Sequence, residues 1–204
     1  MFRFVQWRFV ILAVCGVLAG TVQAAGDPAA GKAKFETCTG CHAIPGYTNA
    51  YPTYHVPRLG GQHSDYVMTA LKAYQAGERK HPTMHANASP LNEQDMQDIA
   101  AYVASVKPAP EPNPVRGNVA AGKTKSATCA ACHGPDGNGN IPLYPRLAGQ
   151  YEDYLLKALH DYQSGARQNA VMKGMATPLS AQDIADLAAY FASQPKGLST
   201  VTAN

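Results

Sequence analysis

Residues 36–63 read "ETCTGCHAIPGYTNAYPTYHVPRLGGQH", and residues 126–151 read "SATCAACHGPDGNGNIPLYPRLAGQY". Each stretch holds a Cys-x-x-Cys-His followed by a Pro-Arg-Leu, so the chain states one chemical idea twice. The wider sequence agrees. "AAGKAKFETCTGCH" (29–42) matches "AAGKTKSATCAACH" (120–133) at an offset of 91, and 56–79 and 89–105 match 144–167 and 177–193 at an offset of 88. The three-residue change falls between His42 and Pro57, so the first copy has the longer loop there.

Between the copies, "VKPAPEPNPVRGN" carries Pro108, Pro110, Pro112 and Pro114. Alternating prolines favour an extended, semi-rigid polyproline II segment. The expected organisation is a domain over 25–107, a linker over 108–114 and a second domain over 115–204. Residues 1–24 are expected to be a secretory signal peptide, with Arg3 and Arg8, an apolar run from Phe9 to Ala19, and small residues at Val22 and Ala24. The run is short for a membrane span. A periplasmic location follows from that reading.

Each copy reads as helical. Segments 64–76 and 152–164 space Tyr66, Leu71 and Tyr74, or Tyr154, Leu155, Leu159 and Tyr162, for one helix face and stop at Gly77 and Gly165. The final helix of each copy opens on a capping-box-like pair, Asn92 with Asp95 and Ser180 with Asp183. Further helices over 29–37 and 120–128 lead into the cysteines. No strand pattern emerges, so the expected class is all-α. Domains of this size with few large aliphatics make a poor core alone, and something else must fill the middle.

Cys-x-x-Cys-His is the attachment pattern of c-type haem. The two thiols add to the porphyrin vinyl groups, and the following histidine binds iron. Two covalently attached haem c groups are therefore expected, at Cys38, Cys41 and His42 and at Cys129, Cys132 and His133. A redox disulfide lacks a thioredoxin-like βαβ setting, and structural zinc lacks a second ligand pair in each copy. The distal iron ligand should recur at a matched position. Met84 and Met172 coincide at the offset of 88, in what reads as a loop before the final helix. Met175 is a rival in the second copy and His81 or His85 in the first, but their counterparts are Asn87, Asn169 and Lys173. A Met/His pair raises the potential and fills both axial positions. The carbonyls of Pro57 and Pro145 are candidates to orient the two histidines, and Arg58 and Arg146 to meet haem propionates. His55 has no assigned role.

Net charge is +3 for the full sequence. The first domain carries seven basic and seven acidic residues and the second eight and six. That is too weak for nucleic-acid binding, although it can orient a protein partner.

The paired motifs, "PRLGGQ" and "PRLAGQ", "MHANASPL" and "MKGMATPL", and the closing "AAYVAS" and "AAYFAS" resemble the dihaem cytochrome c4 family. The resemblance implies two tandem class I cytochrome c folds packed about a pseudo-twofold axis. It also implies an electron carrier between a quinol-oxidising respiratory complex and a terminal oxidase or other cytochrome, with peripheral membrane association open. The segment after the first motif is longer than the family's Gly-rich one. A haem enzyme (a peroxidase or sulfur-compound dehydrogenase) and an electron-transfer subunit of a larger oxidoreductase are the competing readings.

Overall fold

The computed structural model describes residues 26–109, 111 and 113–202; the expected signal segment lies outside them. The described chain is helical, with isolated β-bridges and no named strand. The first copy folds as α1 (Pro28–His42), α2 (Ser64–Gln75), α3 (Pro82–Ala88) and α4 (Glu93–Ser105). The second folds as α5 (Val119–Lys125), a 3₁₀ turn (Ser126–Thr128), α6 (Ala130–His133), α7 (Glu152–Ser164), α8 (Ala170–Ala176) and α9 (Ala181–Ala192).

Local chemistry sets the ends. Asp27 caps α1 by accepting from the Ala29 N–H, and Pro28 sits in the first turn where no amide bond is lost. Both expected capping boxes form: Asn92 and Asp95 bond each other's backbone N–H at α4, and Ser180 and Asp183 do so at α9. Two expectations change. The segments bearing Met84 and Met172 are short helices rather than loops. The helix expected over 120–128 breaks after Lys125 into a 3₁₀ turn, whereas its counterpart α1 runs unbroken through its cysteines.

In each copy the first and last helices cross at a glycine. A Cβ on Gly31 would lie 1.9 Å from the Asp98 carbonyl oxygen, and one on Gly122 equally close to that of Asp186. No other residue permits that approach. A lysine pins each crossing: Lys34 bonds the carboxylates of Asp95 (2.7 Å) and Asp98 (2.6 Å), and Lys125 those of Asp183 and Asp186 at the same distances. Phe35, Val67, Leu71, Met96, Ile99 and Val103 form the core of the first domain, and Leu155, Leu187, Tyr190 and Phe191 that of the second. Met96 is thus core, and Met68 packs beside it.

The domains meet about an approximate twofold. Gln62 bonds both the carbonyl (3.0 Å) and the amide (2.8 Å) of Arg146, and Gln150 does the same to Arg58 at 2.9 Å each. Arg79 and Arg167 form an antiparallel bridge, flanked by Lys80 N–H donating to Ala166 and Gln168 N–H donating to Glu78. The linker is fastened rather than free: Asn113 donates to the carbonyls of Gly149, Gln150 and Ala192. Residues 198–201 cross back from the second domain. Leu198 N–H bonds Ala148, Ser199 pairs with Gly60, and Val201 is buried in the first domain's core. Among the described residues no helix is long and apolar enough to cross a membrane.

Candidate cofactor sites

Because α1 turns once every 3.6 residues, Cys38, Cys41 and His42 fall on one side of its last turn. His42 is buried, and its Nδ1 donates to the Pro57 carbonyl at 3.1 Å. His133 repeats this to the Pro145 carbonyl at 2.9 Å. Each bond fixes the tautomer that leaves the Nε2 lone pair free for a metal. Burial lowers both imidazole pKa values against the pull of those carbonyls, that of His42 to about 4, with Arg79 and His81 adding to the effect there. Both rings are therefore neutral at physiological pH, the protonation state that coordination needs.

The four cysteines are unpaired thiols. Burial raises the pKa of Cys38 and Cys129, so neither is a thiolate primed for redox exchange. Nowhere among the described residues do three or more His, Cys, Asp or Glu side chains gather as a metal-ion site would require.

One cavity of about 240 Å³ runs through both domains. Cys38, Cys41, His42 and Met84 line it on one side, and Cys129, His133 and Met172 on the other, with apolar walls that include Val67, Leu71, Leu155 and Leu187. A flat apolar macrocycle with two vinyl edges and an iron fits this donor set: Cys38 and Cys41 on one side and Cys129 on the other, with one neutral imidazole and one thioether per domain; Cys132 follows in the second motif but is not on the cavity wall.

Met84 and Met172 are half-buried at equivalent places, each in the first turn of a seven-residue helix. The caps are equivalent as well: the Met84 N–H donates to His81 Nδ1 and the Met172 N–H to Asn169 Oδ1. His81 also lines the cavity, with Nδ1 thus engaged. His85 lies off the cavity wall, its Nδ1 donating to the Tyr74 carbonyl at 2.8 Å. Met175 touches the cavity but is among the exposed apolar residues.

Arg58 and Arg146 both line the cavity. The Arg58 guanidinium is buried and stacks over the Tyr151 ring at 4.2 Å, with Glu111 at 3.2 Å and the Gly149 carbonyl at 2.5 Å. Arg146 has a buried Nε without a partner. His55, without a role in the sequence, bonds Asp153 through its Nδ1 (2.7 Å) and amide (3.1 Å) and stacks on Tyr151. His63, unmatched in the repeat, bonds the Gly139 carbonyl across the seam at 2.7 Å, while His160 is exposed. Sequence reasoning passed over Arg79 and Arg167 on the cavity wall. The repeated "YQAGER" and "YQSGAR", which place an arginine at the same offset in both copies, were the available signal.

The cytochrome c family model matches residues 28–107 and 119–195. Cytochrome c4 of Pseudomonas aeruginosa is 58% identical over 78 residues, which span 38% of this chain and 39% of that protein. The chain spans 39% to 43% of the length of the cytochromes c4 that it first matches by sequence. The structure of Acidithiobacillus ferrooxidans cytochrome c4 superposes with a TM-score of 0.69 at 31% identity, covering 78% of this chain and 99% of that one. Thiosulfate dehydrogenase (TsdBA) from Marichromatium purpuratum superposes with a TM-score of 0.72 at 32% identity, over 82% of this chain and 40% of that one.

Proposed function

Since the chain belongs to the cytochrome c family, with two such domains in the tandem arrangement of cytochrome c4, we propose that it is a periplasmic electron carrier rather than an enzyme. Its two covalent haem c groups sit at Cys38/Cys41 and Cys129/Cys132. The observation that carries the proposal is one cavity, spanning the seam, lined from each domain by cysteine, histidine and methionine. Bound there, each haem supplies an iron that takes up or gives up one electron.

The protein's own contribution is ligation and insulation. His42 and His133 would each hold one iron, and the Pro57 and Pro145 carbonyls orient them. Met84 and Met172 would supply the second ligand to each iron, a thioether that raises the potential. With both ligands in place, the irons would exchange electrons and would not readily bind substrate. Arg146, with its unpartnered buried Nε, would meet a haem carboxylate; Arg58 stands on the same wall with Glu111 beside its charge. The donor is a quinol-oxidising complex and the acceptor a terminal oxidase or another cytochrome. A second reading has a specific support: a thiosulfate dehydrogenase contains a unit of this architecture in 40% of its chain. The donor would then be a sulfur-compound dehydrogenase.

Haem count and ligand access test the function together. A pyridine haemochrome assay should give two haems per chain, and the reduced protein should bind carbon monoxide slowly at both. Rapid carbon monoxide binding at either haem, or substrate turnover without a redox partner, would favour an enzyme.

A further inference from the structure

Apart from Arg146, whose buried Nε is unpartnered, the other buried or half-buried Lys and Arg side chains at the helix crossings and on the cavity wall have acidic neighbours among the described residues. Lys34 and Lys125 have two aspartates each, and Arg58 has Glu111. Arg79 and Arg167 differ. Both are about nine-tenths buried, at 9% exposure, both line the cavity, and no carboxylate among the described residues lies within ion-pair distance of either. The paired backbone at 79 and 167 keeps the two like charges side by side.

Their partners in the structure are neutral and crossed. Arg79 Nη2 donates to the hydroxyl of Tyr154 in the other domain, and Arg167 Nη2 to that of Tyr66 at 2.5 Å. Each guanidinium also lies over an aromatic ring of its own domain, Arg79 over Tyr74 at 4.4 Å and Arg167 over Tyr162 at 4.6 Å. Hydroxyls and ring faces do not cancel a buried charge, and an uncompensated one is strongly unfavourable. The field is felt nearby. Burial pushes the Tyr66 phenol up, yet the guanidiniums of Arg167 and Arg79 outweigh it and hold its pKa below the ordinary value. The wall at this point is built for anions that enter the cavity from elsewhere.

Haem carries two carboxylate side chains, and each domain presents one haem to this cavity. We propose that Arg79 and Arg167 form a single anion site that receives carboxylates of both haems, so that each arginine tunes the potential of both irons. The planar guanidinium is suited to a two-pronged carboxylate bond. The crossed tyrosine contacts make each arginine part of both domains' sites. A positive charge beside a haem favours the ferrous state, so removing one lowers the potential. This inference rests on the dihaem reading above.

The test is a spectroelectrochemical titration of Arg79→Gln and Arg167→Gln, each with its haem content measured. Both variants should keep two haems and the Met–iron absorption band. In each, both midpoint potentials should fall. Arg79→Lys, which keeps the charge but loses the fork, should lower both by less, and it carries the test if Arg79→Gln fails to retain both haems. A shift confined to the haem of the substituted domain would overturn the shared site. Unchanged potentials in a two-haem variant would overturn the anion site altogether. Wild-type protein with fewer than two haems would instead remove the dihaem premise.

Discussion

The two domains agree at the proximal histidines, the caps beside the two methionines and the helix crossings, and diverge elsewhere. His42 and His133 bond equivalent proline carbonyls, those of Pro57 and Pro145, Gly31 and Gly122 admit the same close approach, and the lysine–aspartate clusters coincide. The segments after the histidines go separate ways. In the second domain a glycine-rich turn folds back on its own histidine: Gly139 N–H donates to the His133 carbonyl, and Gly134 and Gly137 take positive φ. In the first, residues 43–56 reach the other domain, where Gly46 N–H bonds the Tyr151 hydroxyl and His55 bonds Asp153. The distal helices differ too: Thr83 and Asn87 flank Met84, whereas the exposed apolar Val171 and Met175 flank Met172. The repeat thus preserves the redox chemistry while giving the two haems different outer faces.

The largest effect that would break the equivalence is loss of a distal ligand. Met84→Ala and Met172→Ala should each remove one of the two weak near-infrared Met–iron bands and lower one potential. Met175→Ala should leave both bands intact. Loss of a band in Met175→Ala alone would reassign the second site.

Next come the crossings. Gly31→Ala and Gly122→Ala each force a Cβ into a carbonyl oxygen 1.9 Å away, and each should cost about 3 kcal/mol, the upper range of overpacking. Denaturant titration should show similar losses; a tolerant Gly122 would mean that the broken helix of the second domain can yield. His55→Ala tests the contact that only the first domain makes. It should cost about 1 kcal/mol, as expected for one partly exposed hydrogen-bonded pair, and hydrogen exchange should rise in 43–56 and around Asp153 but not at 134–140.

The smallest effect is common to both domains. The Lys34 ammonium, helped by the Asp27 N–H and Gln94, lowers the Asp98 pKa to about 2, and Lys125 with Gln182 lowers that of Asp186. Carboxylates whose folded pKa is depressed stabilise above their unfolded value, near 3.9, and that contribution is lost as pH falls through the folded one. Melting temperature should therefore drop between about pH 4 and pH 2, and Lys34→Met and Lys125→Met should each flatten the drop.

These comparisons also explain what was legible beforehand. The repeat, the proximal histidines with their proline carbonyls, and the capping boxes are local patterns, and each is visible within a few residues. The short helices around Met84 and Met172 were read as loops because seven residues are too few to show a period. The roles of His55, His63, Arg79 and Arg167 depend on partners 75 to 101 residues away. No local pattern encodes such a contact. The extended, proline-rich linker was expected as a spacer, but Asn113 and Glu111 make it part of the packing through bonds to Ala192 and Thr200.

Residues 198–201, the segment that follows α9, bear on the order of assembly. Val201 closes the core around Phe35, and Ser199 pairs with Gly60 beside the Pro57 carbonyl that orients His42. The first domain is therefore synthesised early but finished late, because its floor arrives only after the whole second domain has been made. A chain emerging N-terminus first would present the first Cys-x-x-Cys-His while its pocket is still open on that side. The second motif lies on a domain whose apolar core is drawn from its own residues. The doubled molecule is thus sealed asymmetrically: its first core is completed by the segment after the second domain's last helix, and its second core takes nothing from the first.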